Sequence, residues 1–298
     1  MVHVKSERRA SWILLTPFIL LSLAAGVIPI GFAFWTALQK PQTIIRPQGG
    51  FGGISALLNS LKDPRLVTSF KDILIVMSIW LPIMMLGIVG LALLVHSSRG
   101  KFAGIMRGIY YLPGALGGIA NFMLWVYLVD PQFSPINFIW KDLHLTSISS
   151  VVSIANTPYI LAAMLFFQGV GSWMIIVNGG LNGIPDEILE ASSIDGAGTW
   201  RNIFSIKIPL ILPWIGYAFL LNVAYGFQLF LEPYLLNEIT QGAVPSQYAP
   251  SQLAYEFAFT DRNLPAASAL SLVLLVISLG IGMIVVLRTG LLGDRKVK

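Results

Sequence analysis

The feature that most limits the possible folds is a set of long apolar windows without a single charged residue. Five windows hold no Asp, Glu, Lys or Arg: Ala10–Gln39, Ile73–Ser98, Gly108–Val129, Ile208–Leu231 and Asn263–Leu287. A sixth, Tyr159–Leu181, lies inside a longer uncharged stretch. A membrane-spanning helix needs about 20 predominantly apolar residues. The sequence therefore predicts an all-α polytopic membrane protein with six transmembrane helices, in a single domain over residues 1–298.

The composition supports a membrane protein and excludes several kinds of site. Charged residues make up 11% of the chain, against about 25% in soluble domains. The net charge of +5 comes from bases at the ends of apolar windows, which indicates topology rather than nucleic-acid binding. The chain has no cysteine, and its three histidines lie far apart, so no metal site is predicted. The first window is too long for the core of a signal peptide, about 7–15 residues, and is interpreted as an uncleaved span.

Basic residues are unequally divided between the two sides of the predicted spans. With the N-terminus inside, the inner segments hold 12 Lys and Arg against six Asp and Glu, and the outer segments hold seven bases against eight acids. Because cytoplasmic loops are enriched in Lys and Arg, this count predicts cytoplasmic N- and C-termini and a cytoplasmic segment 184–207.

The segment Ile184–Pro213 is an unusually ordered polar stretch between two apolar windows. Pro185 stands where a first helical turn begins, and the acids just after it suit the positive end of a helix dipole. Asp195-Gly196 is typical of a turn. Thr199 is expected to cap a second short helix, and the last two prolines of the segment are expected to interrupt it. The pattern predicts a helix, a turn and a helix at a membrane face, in contact with another molecule.

Several motifs are absent from the sequence. It has no G-x-x-x-x-G-K-[ST] phosphate loop, so ATP is not bound by that device, and it has neither HExxH nor GxSxG. No acid or base lies well inside a predicted span, whereas ion-coupled carriers usually keep one. Two alternatives are an ion-coupled secondary carrier and a membrane-embedded enzyme. An inverted pair of interrupted helices would favour the carrier, and buried paired carboxylates would favour the enzyme.

Uncharged polar and aromatic residues inside the spans are candidates for a solute pathway. Asn222, Tyr225 and Leu229 share one helix face, with Gln228 at its edge. Amides bind hydroxyl groups and ring faces cover the apolar side of a sugar, so this set suits a neutral polyhydroxylated solute, although membrane Asn and Gln also bond neighbouring helices. The candidate pathway residues are Asn121, Trp125, Gln168, Asn222, Tyr225 and Gln228, and Asn178 is a further polar residue in the fourth span.

The polar segment resembles the EAA signature of the membrane subunits of bacterial binding-protein-dependent ABC importers. Glu190-Ala191-Ser192 is followed by Ile194-Asp195-Gly196-Ala197, and Ile206-Lys207-Ile208-Pro209 closes the motif. Ser192 and Ile208 stand where the family usually has Ala and Leu. Arg107 with Tyr110-Tyr111-Leu112-Pro113 resembles sugar-importer permeases, nearest to the first membrane subunit of the maltose and glycerol-phosphate systems. In the last outer loop, Thr240–Pro245 departs from the usual T-x-G-G-P.

The resemblance implies a permease subunit of the bacterial cytoplasmic membrane that is not itself an enzyme. It implies a second permease subunit, two ATPase subunits that bind ATP and Mg²⁺, and an extracytoplasmic solute-binding protein, with no cofactor on this chain. The imported solute would be a sugar or related polyol. The implied ATPase-coupling residues are Glu187, Glu190, Ala191, Ser192, Asp195, Gly196, Ala197, Ile206 and Pro209.

Overall fold

The structure is a computed structural model that describes residues 2–41, 49–98 and 100–289, with side chains from residue 12 to residue 287. The first half of the described chain contains α1 (Val2–Ser22), α2 (Ile28–Ala37), β1 (Gln39–Lys40), β2 (Gly50–Phe51), α3 (Gly53–Ser60), α4 (Pro64–Ser97), α5 (Lys101–Ala115), α6 (Gly118–Val129), α7 (Asn137–Asp142) and α8 (Ile148–Val151). The second half contains α9 (Thr157–Asn182), α10 (Asp186–Ile194), α11 (Thr199–Asn202), α12 (Ile208–Phe227), α13 (Leu231–Ile239), α14 (Pro250–Tyr255) and α15 (Leu264–Thr289). Three π-helical turns, Leu23–Val27, Ile203–Lys207 and Glu256–Thr260, continue neighbouring helices.

The chain divides into two compact units, the first formed by Met1–Leu66 and Leu253–Val276. In this unit β1 and β2 form a short antiparallel pair. Four charged residues, here called the Arg65 cluster, also lie in it: Asp63, Arg65, Glu256 and Asp261. The Arg65 guanidinium donates to Asp63 at 2.9 Å and to Asp261 at 2.7 Å, and lies 3.8 Å from Glu256. It also stacks on Phe257, 4.9 Å from the ring centroid.

The second unit, formed by Val67–Gln252 and Ile277–Lys298, is built around α9. This helix packs against α5 and α12. The α5–α9 contact is a close approach of two backbones, because a Cβ added to Gly171 would lie only 1.8 Å from the Tyr110 carbonyl oxygen. Small residues allow such contacts between membrane helices. The residues buried along α9 include Leu161, Leu165, Met174 and Leu181.

The helices provide the predicted number of apolar spans only if one bent pair is counted as a single span. In the described ranges five segments are long and apolar enough: Trp12–Ala37, Pro64–Ser97, Thr157–Asn182, Thr199–Ile239 and Leu264–Leu287. The window 108–129, predicted as one span, is instead divided between α5 and α6, which meet at 92°. Leu116 and Gly117 at the break leave the helical conformation, and Pro113, inside the last turn of α5, removes one hydrogen bond from that end of the helix.

Two local expectations for the segment Ile184–Pro213 are wrong. Gly198, not Thr199, is the N-cap of the second short helix, and Thr199 is already helical. Pro209 and Pro213 do not interrupt the helix, which runs without a break from Thr199 to Phe227. The π-helical turn Ile203–Lys207 lies just before Pro209 and adapts the hydrogen-bond pattern there, as such turns do in proline-containing helices.

Several charged residues counted for the orientation lie outside the described ranges or have side chains that the structure does not describe. They are Lys5, Glu7, Arg8, Arg9, Arg46, Arg99, Arg288, Asp294, Arg295, Lys296 and Lys298. The cytoplasmic position of the termini and the single domain over residues 1–298 therefore stay predictions.

Candidate functional site

The polar loop between α9 and α12, here called the loop 184–207, has a backbone fixed by a helix-ending motif. Gly196 adopts φ +76°, the left-handed conformation that glycine tolerates best. Its N–H donates to the Ser193 carbonyl at 3.1 Å, and the Ala197 N–H donates to the Ser192 carbonyl at 2.9 Å. These two bonds form a Schellman motif, which satisfies carbonyls left open at the end of α10. The Asp195-Gly196 turn predicted from the sequence is therefore present.

Ser192, the departure from the family signature, ties the two short helices of this loop together. It is buried, its hydroxyl donates to the Leu189 carbonyl at 2.8 Å, and it accepts from Asn202 Nδ2 at 3.2 Å. An alanine at this position forms neither bond. The loop 184–207 is thus held in shape by its own chain.

The acidic side chains of the loop are all exposed to solvent, whereas Lys207 is half-buried. Asp186, Glu187, Glu190 and Asp195 are exposed, and none forms a side-chain hydrogen bond or ion pair with any residue the structure describes. Large apolar side chains are exposed beside them: Ile194 is 86% exposed, and Trp200 (73%) stacks on Phe204 (62%). Of the other predicted coupling residues, Ala191 and Pro209 are exposed, and Ala197 and Ile206 are half-buried. Exposed apolar groups next to unpaired acids are typical of a protein contact surface.

A cavity of about 390 Å³ lies between α4, α9 and α12. Smaller apolar residues line part of the cavity. Three aromatic and three neutral polar side chains line the rest: Trp80, Trp173, Tyr225, Gln168, Ser172 and Asn222. No charged side chain is among the lining residues. The Trp80 and Tyr225 rings meet edge to face, with centroids 6.2 Å apart. Trp80 Nε1 is buried and has no hydrogen-bond partner among the described residues, so it is available as a donor.

Three of the six predicted pathway residues meet at this cavity: Gln168, Asn222 and Tyr225. The other three do not line it. Asn121 is buried on α6, Trp125 packs edge-on against Phe167 at 6.0 Å, and Gln228 is exposed just after α12 ends. Since α12 ends at Phe227, Gln228 and Leu229 also do not continue the helical face on which the prediction relied.

The sequence reasoning missed four residues at or next to the cavity. Ser172 lies four residues after Gln168 on the same helix face, so extending that face would have found it. Trp80 and Trp173 are bulky aromatic residues in otherwise aliphatic windows. Glu232, just after the predicted fifth span, is only 3% exposed and accepts from the Tyr225 hydroxyl at 3.3 Å. No sequence signal separated it from a loop acid.

These features define a polytopic helical membrane protein with a neutral internal cavity and an ordered polar loop, the class to which transport subunits belong. The chain belongs to the family of binding-protein-dependent transport system inner membrane components, whose sequence profile matches residues 48–295. Within the part of the chain described here, no cluster of three or more metal-ligating side chains accompanies the cavity.

Known relatives cover nearly the same length of chain. The trehalose transport system permease protein SugA of Mycobacterium tuberculosis is 24% identical over 90% of this chain and 85% of its own length. The sn-glycerol-3-phosphate transport system permease protein UgpA of Agrobacterium fabrum is 26% identical, over 84% and 87%. Both are named as permease subunits and not as enzymes, in agreement with the prediction from the sequence.

The fold is also that of a solved transporter. A chain of the bacterial alginate ABC transporter, crystallised in complex with its alginate pentasaccharide-bound periplasmic protein, superposes with a TM-score of 0.76. The match covers 95% of this chain and 94% of that chain at 18% identity. This similarity confirms the predicted fold class, a helical membrane protein like the permeases of ABC importers.

Proposed function

We propose that this chain forms half of the translocation pathway of an ATP-driven importer for a sugar or related polyol. One observation carries the proposal: the neutral cavity is lined by α9 and α12, and these two helices enter and leave the loop 184–207. A movement imposed on this loop therefore acts directly on two of the three cavity walls. The third wall is α4, which contributes Trp80 and Met84.

The chemistry of the cavity suits a neutral hydroxylated solute. Amide and hydroxyl groups on Gln168, Ser172 and Asn222 can exchange hydrogen bonds with sugar hydroxyls, while the rings of Trp80 and Tyr225 offer apolar faces. The names of the relatives point in the same direction, since SugA serves trehalose transport and the alginate transporter was crystallised with a saccharide-bound protein. UgpA, named for a phosphorylated polyol, marks the wider range of the family.

The loop 184–207 is suited to receive force from another protein. Its exposed acids, Glu190 among them, can pair with bases of an ATPase subunit, and Trp200 and Phe204 offer an apolar contact. The Schellman motif keeps the loop rigid, so a push is transmitted rather than absorbed. In this arrangement two partner ATPase subunits bind ATP and Mg²⁺, and this chain needs no cofactor of its own.

The remaining partners follow from the same arrangement. A second permease subunit completes the pathway, and an extracytoplasmic solute-binding protein delivers the solute, as a periplasmic protein accompanies the alginate transporter. We assign cytoplasmic N- and C-termini, and a cytoplasmic loop 184–207, from the excess of Lys and Arg in the inner segments. The complex would lie in the bacterial cytoplasmic membrane.

The pathway is tested by comparing Tyr225→Ala with Gln228→Ala in the assembled transporter. Both residues are exposed and three positions apart, but only Tyr225 lines the cavity. Uptake by Tyr225→Ala in proteoliposomes is expected to fall by about tenfold, equivalent to about 1.4 kcal/mol of lost interaction. Gln228→Ala is expected to keep wild-type uptake, and both variants should retain the ATPase subunits on purification. Equal uptake by the two variants would remove the cavity from the pathway.

A further inference from the structure

Three polar side chains link α4 to α9 at the end of these helices nearest the loop 184–207. Asn178 is only 2% exposed, and its Nδ2 donates to the Ala92 carbonyl of α4 at 3.2 Å. Asn182 Nδ2 donates to Asn178 Oδ1 at 3.2 Å. His96 Nδ1, on α4, lies 3.2 Å from Asn182 Oδ1. We call Asn178, Asn182 and His96 the amide–imidazole chain.

The backbone carbonyl at one end sets the direction of every bond in this chain. A carbonyl only accepts, so the Asn178 amide must turn its nitrogen towards Ala92 and its oxygen towards Asn182. Asn182 then donates to that oxygen, and its own oxygen is left facing His96. An oxygen acceptor requires a proton on the facing ring nitrogen. Neutral His96 therefore carries its proton on Nδ1, an assignment that follows from the network of bonds.

The amide–imidazole chain lies between the loop and the cavity. Asn182 is the last residue of α9, and α10 begins four residues later at Asp186. Asp186 and Lys207, at the two ends of the loop 184–207, are both close enough to interact electrostatically with the His96 ring. Further along the same two helices, Trp80 on α4 and Gln168 on α9 line the cavity.

We propose that Asn178, Asn182 and His96 are positioning residues that fasten α4 to α9, so that a displacement of the loop 184–207 moves both cavity walls together. This inference rests on the proposed function. Inside a membrane the hydrophobic effect does not hold one helix against another, and interhelical hydrogen bonds between polar side chains contribute to that role. Without these three side chains only packing contacts such as Met84 against Gly169 join the two helices, so α4 follows α9 less closely and ATP hydrolysis reshapes the cavity less efficiently.

A set of substitutions at His96 tests whether the amide–imidazole chain is present and whether its hydrogen bonds run in the proposed direction. The side-chain amide nitrogen of Asn stands close to the position of ring Nδ1, whereas that of Gln stands close to the position of Nε2. His96→Asn is therefore expected to keep the donor to Asn182, and His96→Gln and His96→Leu are expected to lose it. Asn178→Leu removes the donor to the Ala92 carbonyl at the other end of the chain.

The measurement is the number of solute molecules imported per ATP hydrolysed by the complete transporter in proteoliposomes. We expect this ratio to fall about fivefold in His96→Leu, His96→Gln and Asn178→Leu, at the lower end of typical coupling effects. ATP hydrolysis continues in these variants, and His96→Asn keeps the wild-type ratio. Wild-type ratios in His96→Leu and Asn178→Leu would overturn the proposal, as would an equal loss in His96→Asn and His96→Gln.

The geometry has a separate spectroscopic test that does not depend on transport. Nitrogen NMR of histidine-labelled protein is expected to show the Nδ1-protonated tautomer for His96, and a loss of that signature in Asn182→Leu. An Nε2-protonated His96 in the unmodified protein would show that the amide–imidazole chain does not have the proposed hydrogen bonds. A wild-type complex that hydrolyses ATP but imports no sugar or polyol would overturn the proposed function and the coupling role together, while leaving the tautomer result in place.

Discussion

Four acids in the loop 184–207 are exposed and form no ion pair or side-chain hydrogen bond with a described residue, whereas the acids of the Arg65 cluster all surround one guanidinium. The side chains of Asp63, Arg65 and Asp261 are only 25–34% exposed. Both regions lie between apolar helices and both are rich in acids. In the Arg65 cluster the carboxylates face a base of the same chain. In the loop no base is paired with the acids among the described residues, so they are available to a partner.

The two regions are also shaped by different parts of the chain. The backbone fixes the loop 184–207, through the left-handed Gly196 and the two bonds of the Schellman motif. Side chains dominate the Arg65 cluster, since the guanidinium bonds both Asp63 and Asp261, although the Arg65 backbone N–H also donates to Asp63. A substitution should therefore affect transport without stability in the first region, and stability without transport in the second.

The largest effect is expected from changing the loop at Gly196. Proline has its φ fixed near −65° and so cannot adopt φ +76°, and the Schellman bond from the Gly196 N–H is lost as well. We expect Gly196→Pro and Glu190→Ala to lower solute-stimulated ATP hydrolysis and uptake by about tenfold or more, with unchanged membrane insertion. Gly198→Ala is the matched control, because Gly198 has φ −64° and open space at its Cβ position. Normal uptake in both Gly196→Pro and Glu190→Ala would show that the loop does not dock.

A smaller effect, on stability alone, is expected at Arg65. Arg65→Met keeps much of the apolar stem but leaves the surrounding carboxylates without their partner. Removing one member of a buried ion pair costs about 3–5 kcal/mol, and exposure of the side chain to solvent reduces this to about 2 kcal/mol here. The thermal unfolding midpoint in detergent should fall accordingly, while uptake per folded complex stays unchanged. Lys62→Met is the control, since among the described residues the exposed Lys62 side chain bonds only Asn59. A stable Arg65→Met protein with impaired transport would show that the Arg65 cluster serves transport rather than stability.

The loop could be predicted almost completely from the sequence, because its structure depends on local signals. The acids after Pro185 favour the start of α10 a few residues away, and the Asp195-Gly196 turn directly follows the end of the same helix. The errors there were also local. Whether Gly198 or Thr199 caps a helix is a difference of one residue, and a π-helical turn before Pro209 has no sequence signature of its own.

The cavity and the Arg65 cluster could be predicted only in part, because residues distant in the sequence form them. Arg65 and Asp261 meet across 196 positions of the chain, and no periodicity links them. At the cavity, Gln168 and Asn222 were found because polar residues are rare in membrane spans. Gln228 lies outside the cavity because α12 ends one residue before it. Glu232 is buried by packing that the sequence does not reveal.

The smallest effect concerns the pH dependence of the Arg65 cluster. Hydrogen bonds from Arg65 hold the pKa of Asp63 below its ordinary value of 3.8. Because the folded-state pKa is lowered, the stabilisation is complete above the unfolded-state value and is lost as the pH falls through the lower folded-state value. Asp63→Asn keeps a side-chain oxygen for the Arg65 N–H but carries no charge, so its stability should fall less steeply than that of the unmodified protein below about pH 4. The difference should stay under about 1 kcal/mol, since the side chain is a quarter exposed. The measurement is the unfolding midpoint across this pH range, with Asp142→Asn as an exposed control. If the unmodified protein and both variants lost stability with the same slope, Asp63 would not be the group responsible.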